Sequence, residues 1–480
     1  MADGRTSVNE LATLLRHNFD RYTFDEKLPS SRELVARYQV SPVTVSRAIA
    51  VLAAEGLVVS RPGAGVYRAG SQSAVPARGD TSWQEVALSA EAGAAPERAI
   101  HADGVMTTLA RTEPGVINLS SGYLHPTLQP EQLLAGALAR AARRPGAWGR
   151  PPLEGLAELR AWFARDIAAD IAASDVLISA GGQSALSIAL RSLAAPGAPV
   201  LVESPTYPGV LAIARAAGLR PVPVPVDADG VRTDLLAEAF AVTGARLFVC
   251  QPLFQNPTGA VLSAGRRDQV RSLARAAGAF VIEDDFAGRL VHADAPPSPP
   301  PLAAADHDGV VVHIRSLTKP TSPSLRVAAL AARGPAFARL RAMQAVDSFF
   351  VPRPLQEAAL ELVAAPAWPR HLRSLAVALR QRRTALAAAV QQLMPDLIPP
   401  RLPYGGYHLW LRLPDGHDPE TVTIAARRAD LAITPGGPYF TAEPPAPYIR
   451  LSYVHTQNIE QLADGARRLH QALGAIASRG

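Results

Sequence analysis

Residues 27–70 read KLPSSRELVARYQVSPVTVSRAIAVLAAEGLVVSRPGAGVYRAG, and the amino-terminal fold is decided within them. Ser30 followed by Glu33 has the spacing of a capping box, which starts one helix. That helix stops near Tyr38–Gln39. Ser41 then offers an N-cap, and Pro42 sits in the first turn, where its missing N–H costs nothing. Val45, Ala48, Ile49 and Leu52 recur at helical spacing and make an apolar stripe. Val43, Thr44 and Arg47 are left on the other side, near the start of the helix. After Glu55–Gly56 the run LVVSRPGAGVYR reads as two strands around a turn carrying Gly63 and Gly65.

Two short helices, a short turn and a basic hairpin with glycines predict a winged helix-turn-helix over residues 1–70. In such a unit the residues near the start of the third helix face a major groove. From Lys27 to Gly70 there are six basic residues (Lys27, Arg32, Arg37, Arg47, Arg61, Arg68) and two acidic ones (Glu33, Glu55). The formal net charge of +6 for the whole chain is compatible with nucleic acid without establishing it. Residues 8–70 closely resemble the GntR family of DNA-binding domains in LPSSREL, VSPVTVSRA, EGLV and RPGAGVY. The resemblance implies DNA contacts from Arg32, Thr44, Arg47, Gly63 and Gly65, with Ser41, Val43 and Arg61 on the same surface. Arg32 and Arg47 either grip phosphates or read guanine edges; the sequence leaves both open.

With 480 residues, 48% hydrophobic and 19% charged, the chain is expected to hold two or three globular domains. It has no apolar run of the roughly 18 residues that a membrane span needs. MADGRTSVNE lacks the pattern of a signal peptide. A single cysteine, Cys250, excludes an internal disulfide and fits a cytoplasmic protein. The scattered histidines form no metal-binding motif, so no metal is expected. Of 48 basic side chains only Lys27 and Lys319 are lysines, so a lysine at a chemically meaningful place carries weight.

Residues 71–112, rich in Ala, Gly and Pro, read as a linker. From 113 to 480 apolar runs alternate with Ala/Leu/Arg helical stretches. VLIS (176–179), PVLVE (199–203), LFVC (247–250), AFVIED (279–284) and GVVVHI (309–314) predict a mainly parallel α/β sheet covered by helices. Residues 336–395 read as helical, and 401–480 as a smaller α+β segment.

Four motifs in this part converge. SAGGQSALSIAL (179–190) follows a strand and opens a helix, where Gly182 and Gln183 bring backbone N–H groups to a phosphate. ESPTYPG (203–209) places Tyr207 after a strand end, suited to lie on a flat heterocycle. QNPTG (255–259) makes a turn that aims the amide of Asn256. VIEDDF and SLTKPTSPSLR complete the set. Asp284 lies at the end of a buried strand, where a carboxylate can pair with a protonated pyridine nitrogen. Lys319 can form a Schiff base with an aldehyde, and Ser316 and Arg326 can hold a phosphate.

Together, residues 115–480 resemble fold-type I aminotransferases. By that resemblance Lys319 carries pyridoxal phosphate, Asp284 faces its ring nitrogen and Asn256 its 3-oxygen. Tyr207 stacks on the ring, while Gly182, Gln183, Ser316 and Arg326 cup the phosphate. Arg450, in YIRLSY, is the candidate for an effector's carboxylate. Two positions depart from the family. Phe286 stands where a tyrosine commonly bonds the 3-oxygen, and Trp148 where a tyrosine reaches the partner's cofactor. Each lost hydroxyl removes a hydrogen bond worth about 1 kcal/mol, which puts efficient transamination in doubt.

A GntR-type winged helix joined to an aminotransferase-like domain is the arrangement of the MocR/GabR subfamily. The resemblance implies a transcriptional regulator binding operator DNA, a head-to-tail homodimer, and pyridoxal phosphate or a small amino compound as the signal. The alternative is a working aminotransferase with an appended DNA-binding unit.

Overall fold

The computed structural model describes residues 8–22, 25–55, 57–61, 63–69, 98–100, 102–109 and 113–477. Most of the expected linker (71–97, 101 and 110–112) lies outside the described residues, as do Gly56, Pro62 and Gly70 of the amino-terminal unit.

That unit consists of α1 (Val8–His17), α2 (Ser31–Tyr38), α3 (Pro42–Ala54), β1 (Val58–Arg61) and β2 (Gly65–Arg68). The Ser30 side chain accepts from the Glu33 N–H, and the Glu33 carboxylate accepts from the Ser30 N–H at 2.7 Å, so the capping box is closed. Gln39 turns left-handed, with φ 50°, and ends α2. The Ser41 Oγ accepts from the Thr44 N–H at 3.0 Å and starts α3. Val45, Ala48, Ile49 and Leu52 pack with Leu11, Leu15, Leu34 and Val58 into one small core. β1 and β2 pair antiparallel, Val58 opposite Arg68 and Arg61 opposite Gly65.

The larger part begins with β3 (Ile117–Asn118) and is built on an eight-stranded sheet. Its strands are β4 (Val176–Ser179), β5 (Pro199–Ser204), β6 (Arg220–Asp227), β7 (Gly230–Val231), β8 (Leu247–Cys250), β9 (Phe280–Asp285), β10 (Val311–Ser316) and β11 (Ala328–Ala331). Their spatial order is β4-β11-β10-β9-β8-β5-β6-β7. The run β10-β9-β8-β5-β6 is parallel, while β11 is antiparallel to both of its neighbours and β7 to β6. Alternate residues of each strand serve opposite faces. Val281, Phe248, Leu201 and Val311 join the core beneath the helices 157–167, 233–243 and 264–277. Ile282, Val249, Val202 and Val312 join the core beneath 182–193, 208–216 and 335–347.

The last strand of the sequence reading needs correcting. The apolar run at 309–314 suggested a strand there, whereas β10 continues through Arg315 and Ser316. Arg315 is buried because ion pairs to Asp166 (2.9 Å) and Asp285 (2.6 Å) accompany it inside. β6 was not read as a strand. Pro221, Pro223 and Pro225 cannot donate to a ladder, and the strand sits near the sheet margin with only two-residue β7 outside it.

The helices 353–364 and 367–393 lead to a smaller sheet. Its strands are β12 (His408–Arg412), β14 (Thr434–Pro435) and β15 (Tyr448–Ser452), in the order β12-β15-β14. Between them β13 (Leu431–Ala432) pairs in parallel with β3. Within the expected linker, Asp103–Leu109 is helical, and Gly104 lies so close to Pro438 and Pro208 that a Cβ would meet them at 2.8 and 3.2 Å. No helix among the described residues is long and apolar enough to cross a membrane.

The winged unit rests on the smaller segment. Arg21 pairs with Glu113 (3.1 Å) and with Asp430, and Arg428 pairs with Glu26. The unit nevertheless has its own core, and Leu52→Ala would open a cavity in it alone. The expected cost is about 2–5 kcal/mol. Calorimetry should show a new low-temperature transition, with the main one unmoved.

Candidate functional site

The parallel strands of the large sheet deliver their carboxyl ends to one edge, and a cavity opens there. It is lined by Gly182, Gln183, Tyr207, Asn256, Asp284, Ser316, Lys319 and Arg326, so all eight residues expected around a cofactor meet in one place. Asp284 shares the sheet face of Ile282, toward the helix that begins at Gly182.

At one end of the cavity that helix presents its amino terminus, the positive end of a helix. The Arg326 guanidinium donates to the Ala180 carbonyl at 2.9 Å. A Cβ on Gly181 would meet that guanidinium at 2.6 Å, and the residue's φ of +89° favours glycine. The Thr318 Oγ1 is buried with no hydrogen-bond partner among the described residues, and Thr318 lines the cavity. Backbone N–H groups, two hydroxyls and a guanidinium gathered in this way suit a phosphate. The Tyr207 hydroxyl donates to Gln183 Oε1 at 3.1 Å.

Midway, the Lys319 Nζ donates to the Gly122 carbonyl at 2.9 Å and lies 4.2 Å from the Tyr123 ring centroid and 5.5 Å from that of Tyr407. Arg450 is buried behind Asn256, donating to its Oδ1 (3.2 Å) and to the Ser120 carbonyl (2.6 Å). Phe286 lines the cavity edge-on to Tyr407, with centroids 6.0 Å apart. Trp148 lies on the surface, 81% exposed.

The residues expected to meet DNA lie elsewhere, on the winged unit. Arg32, Ser41, Val43 and Arg47 are exposed, and Thr44 is half-buried, its hydroxyl 2.7 Å from that of Ser41. Arg61 pairs with Asp25 and lies 4.4 Å over the Tyr67 ring. Gly63 and Gly65 take φ of +74° and +118°, which permit the hairpin turn.

Sequence reasoning missed Tyr123, Gln251, Thr318 and Tyr407 in the cavity wall. Thr318 adjoins Lys319 and was within reach of a motif reading. Gln251 sits at the carboxyl end of the LFVC strand, and its position was the available signal. Tyr123 and Tyr407 carried none. Among the described residues no group of three or more His, Cys, Asp or Glu could hold a metal.

Comparison with known proteins gives two family matches. Residues 114–465 match the aminotransferase class I and II family, and residues 9–67 the bacterial regulatory proteins of the gntR family. The chain is 32% identical over 382 residues to the 2-aminoadipate transaminase of Thermus thermophilus, covering 78% of this chain and 95% of that protein. It is 29% identical over 477 residues to PtsJ of Salmonella typhimurium, the vitamin B6 salvage pathway transcriptional repressor, covering 98% of this chain and all of that one. Among solved structures it is similar to LysN, the α-aminoadipate aminotransferase of Thermus thermophilus complexed with N-(5'-phosphopyridoxyl)-L-leucine. There the TM-score is 0.75 at 29% identity, over 83% of this chain and all of that one.

Burial dominates the electrostatics of the cavity. It pushes Asp284 up to about 6, against a hydrogen bond from Gln251 that pulls it down. It pushes Glu203, behind the cavity, up to about 7. Burial also lowers Lys319, which favours its neutral, nucleophilic form. Glu203 therefore keeps its proton in the folded chain over a range where the unfolded chain, near 4.5, has lost it. Its contribution to stability is whole below about pH 4.5 and is lost as pH rises to about 7, on the order of 3 kcal/mol. Glu203→Gln removes that loss. Urea denaturation should show the variant gaining on the wild type by this order between pH 4.5 and pH 8; a parallel pH profile would refute the assignment.

Proposed function

Because the chain belongs to the class I and II aminotransferase family and carries a gntR-family unit at its amino terminus, the MocR/GabR arrangement, we propose that it is a pyridoxal-phosphate-dependent transcriptional regulator. Its signal is the cofactor itself or a small amino compound. The observation that carries this reading is the placement of Lys319. One of only two lysines in the chain has its amine in a cavity whose neighbouring end is furnished for a phosphate.

In this reading Lys319 would hold the cofactor's carbonyl carbon and Asp284 would face its ring nitrogen. Asn256 would face the 3-oxygen, and Tyr207 would cover the ring. Gly182, Gln183, Ser316, Thr318 and Arg326 would hold the phosphate. The bound cofactor supplies an electrophilic carbon that captures primary amines. Arg450, already beside Asn256, would draw in an effector's carboxylate. The protein would work in the cytoplasm as a head-to-tail homodimer, its winged units reaching half-sites about 34 Å apart.

A purified sample loaded with pyridoxal phosphate should be yellow, and Lys319→Ala should abolish the borohydride-trapped adduct; trapping at Lys27 or the amino terminus would remove the cofactor assignment. Arg47→Ala should weaken operator binding by about 1–3 kcal/mol with relaxed base preference if Arg47 reads a base. If it clamps phosphate, the loss should be uniform across sequences. The visible band should be unchanged in either case. The 2-aminoadipate transaminase relative favours a second reading, a working aminotransferase. Steady turnover of about 1–1000 per second with an amino acid and 2-oxoglutarate would support it.

A regulator also needs a route from pocket to winged unit. Arg21 bridges Glu113 and Asp430. Those two residues stand just before β3 and β13, which pair with each other. β3 leads to the Ser120 and Gly122 carbonyls that hold Arg450 and Lys319. β13 leads to Thr434, which pairs with Arg450 across β14 and β15. Anything that moves Lys319 or Arg450 thus pulls on both anchors of Arg21. In wild type, DNA affinity should differ between the cofactor-free and loaded states. Arg21→Ala should shrink that difference at least fivefold and leave the visible band alone; an undiminished response would exclude this route.

A further inference from the structure

Gln251 lies one residue beyond β8, is buried, and is bonded in three directions. Its Nε2 donates to Asp284 Oδ2 at 2.6 Å. Its Oε1 accepts from the Asn256 N–H at 3.0 Å. Its own backbone N–H donates to Glu203 Oε2 at 3.0 Å. The sheet register explains the first bond: Cys250 pairs with Glu283, so the next residues on the two strands, Gln251 and Asp284, emerge side by side.

We propose that Gln251 is a positioning residue that sets the carboxylate of Asp284 and the amide of Asn256 in one fixed relation, so that the two ring contacts of the cofactor are aligned by a single side chain. The proposal rests on the pyridoxal-phosphate reading above.

The chemistry at this point selects a neutral amide. One neighbour is a carboxylate oxygen that needs a donor, and the other is a backbone N–H that needs an acceptor. Lysine and arginine only donate, and their charge would compete with the ring nitrogen for Asp284. An ionised carboxylate only accepts and would repel Asp284. Asparagine is one methylene shorter than the span. An apolar side chain would leave a buried oxygen and a buried N–H without partners. Glutamine meets both needs and leaves the negative charge of Asp284 in place. The hydrogen bond from Gln251 also works against the burial that would otherwise neutralise this carboxyl.

The connection runs further. Arg450 donates to Asn256 Oδ1 at 3.2 Å. Asp284, Gln251 and Asn256 in the cavity wall and Arg450 behind Asn256 therefore form a continuous row. One end serves the ring nitrogen, the other the effector's carboxylate. A fault at Gln251 should be felt at both.

The test uses full-length Gln251→Met, which keeps length and removes both bonds, and Gln251→His, whose ring can donate through one nitrogen and accept through the other. Thermal melting of the cofactor-free proteins checks the fold. Titration with pyridoxal phosphate, followed by the visible band, gives affinity, and the pH midpoint of that band reports the charge around the ring. In Gln251→Met the affinity should fall at least tenfold. The midpoint should shift, because the N–H that helps hold the Asp284 carboxyl in its charged form is gone. Gln251→His should recover both in large part. Wild-type affinity and midpoint in Gln251→Met, or losses that Gln251→His leaves unrepaired, overturn the proposal. A wild-type protein that shows no visible band with pyridoxal phosphate overturns the cofactor reading instead.

Discussion

β5, β8, β9 and β10 run parallel and send their carboxyl ends to the same edge of the sheet, where the chain leaving each of them has to turn. Strand interiors in such a sheet are covered on both faces and admit few polar groups. The first residues past the apolar stretch are where polarity can return, and here it returns on neighbouring strands within a few residues of one level. Glu203, Gln251, Asp284 and Ser316 occupy those levels. Tyr207, Asn256 and Lys319 follow within the next few residues. The cavity is a consequence of the sheet's direction, and its chemistry follows from which residues stand at the strand ends.

Placing carboxyls at that edge has an electrostatic cost, since burial disfavours the charged form. Two solutions appear on opposite faces of β9. Glu283 and Asp285 face a core that also receives His313 and Arg315, and there the carboxylates are matched by ion pairs and by the Leu302 and Ala303 N–H groups. Asp284 faces the cavity and is hydrogen-bonded by the neutral Gln251. Among the described residues its charge has no cationic partner at bonding distance. In the proposed reading that leaves the carboxylate to a cationic ligand, whereas the ion-paired set on the other face serves structure.

The parts legible in the sequence were those whose cause is local. The capping box at Ser30 and Glu33, the N-cap at Ser41 and the stripe from Val45 to Leu52 each depend on a few adjacent residues. Lys319 stood out because lysine is scarce in this chain. What was not legible depends on partners far along the chain. Arg21 and Asp430 are 409 residues apart. The role of Gln251 requires the β8–β9 register, which no spacing reveals. The end of β10 was missed because Arg315 looks like a surface residue until Asp166 and Asp285 are brought beside it. Tyr407 belongs to the smaller segment and enters the cavity only when that segment packs on the sheet.

Tyr407 also changes what Phe286 means. Loss of a hydroxyl at position 286 suggested a weakened grip on the cofactor. The structure puts the Tyr407 ring against Phe286, and its hydroxyl would lie 3.0 Å from a Cβ on Gly122, close to where the Lys319 Nζ would lie at 3.5 Å. Burial raises this phenol to about 12, so it remains a protonated donor at neutral pH. A hydroxyl is therefore present in the wall of the cavity that holds the amine, supplied by the smaller segment instead of by the strand end. The difference matters for sensing, because a ligand shifts a two-state protein only through unequal affinity for the two states. A hydroxyl on the sheet would grip the cofactor alike wherever the smaller segment sits. In the proposed reading, one carried by that segment, together with Arg450 on β15, would grip only with the segment packed on the sheet, and that same segment carries Asp430 and Arg428, which pair with the winged unit.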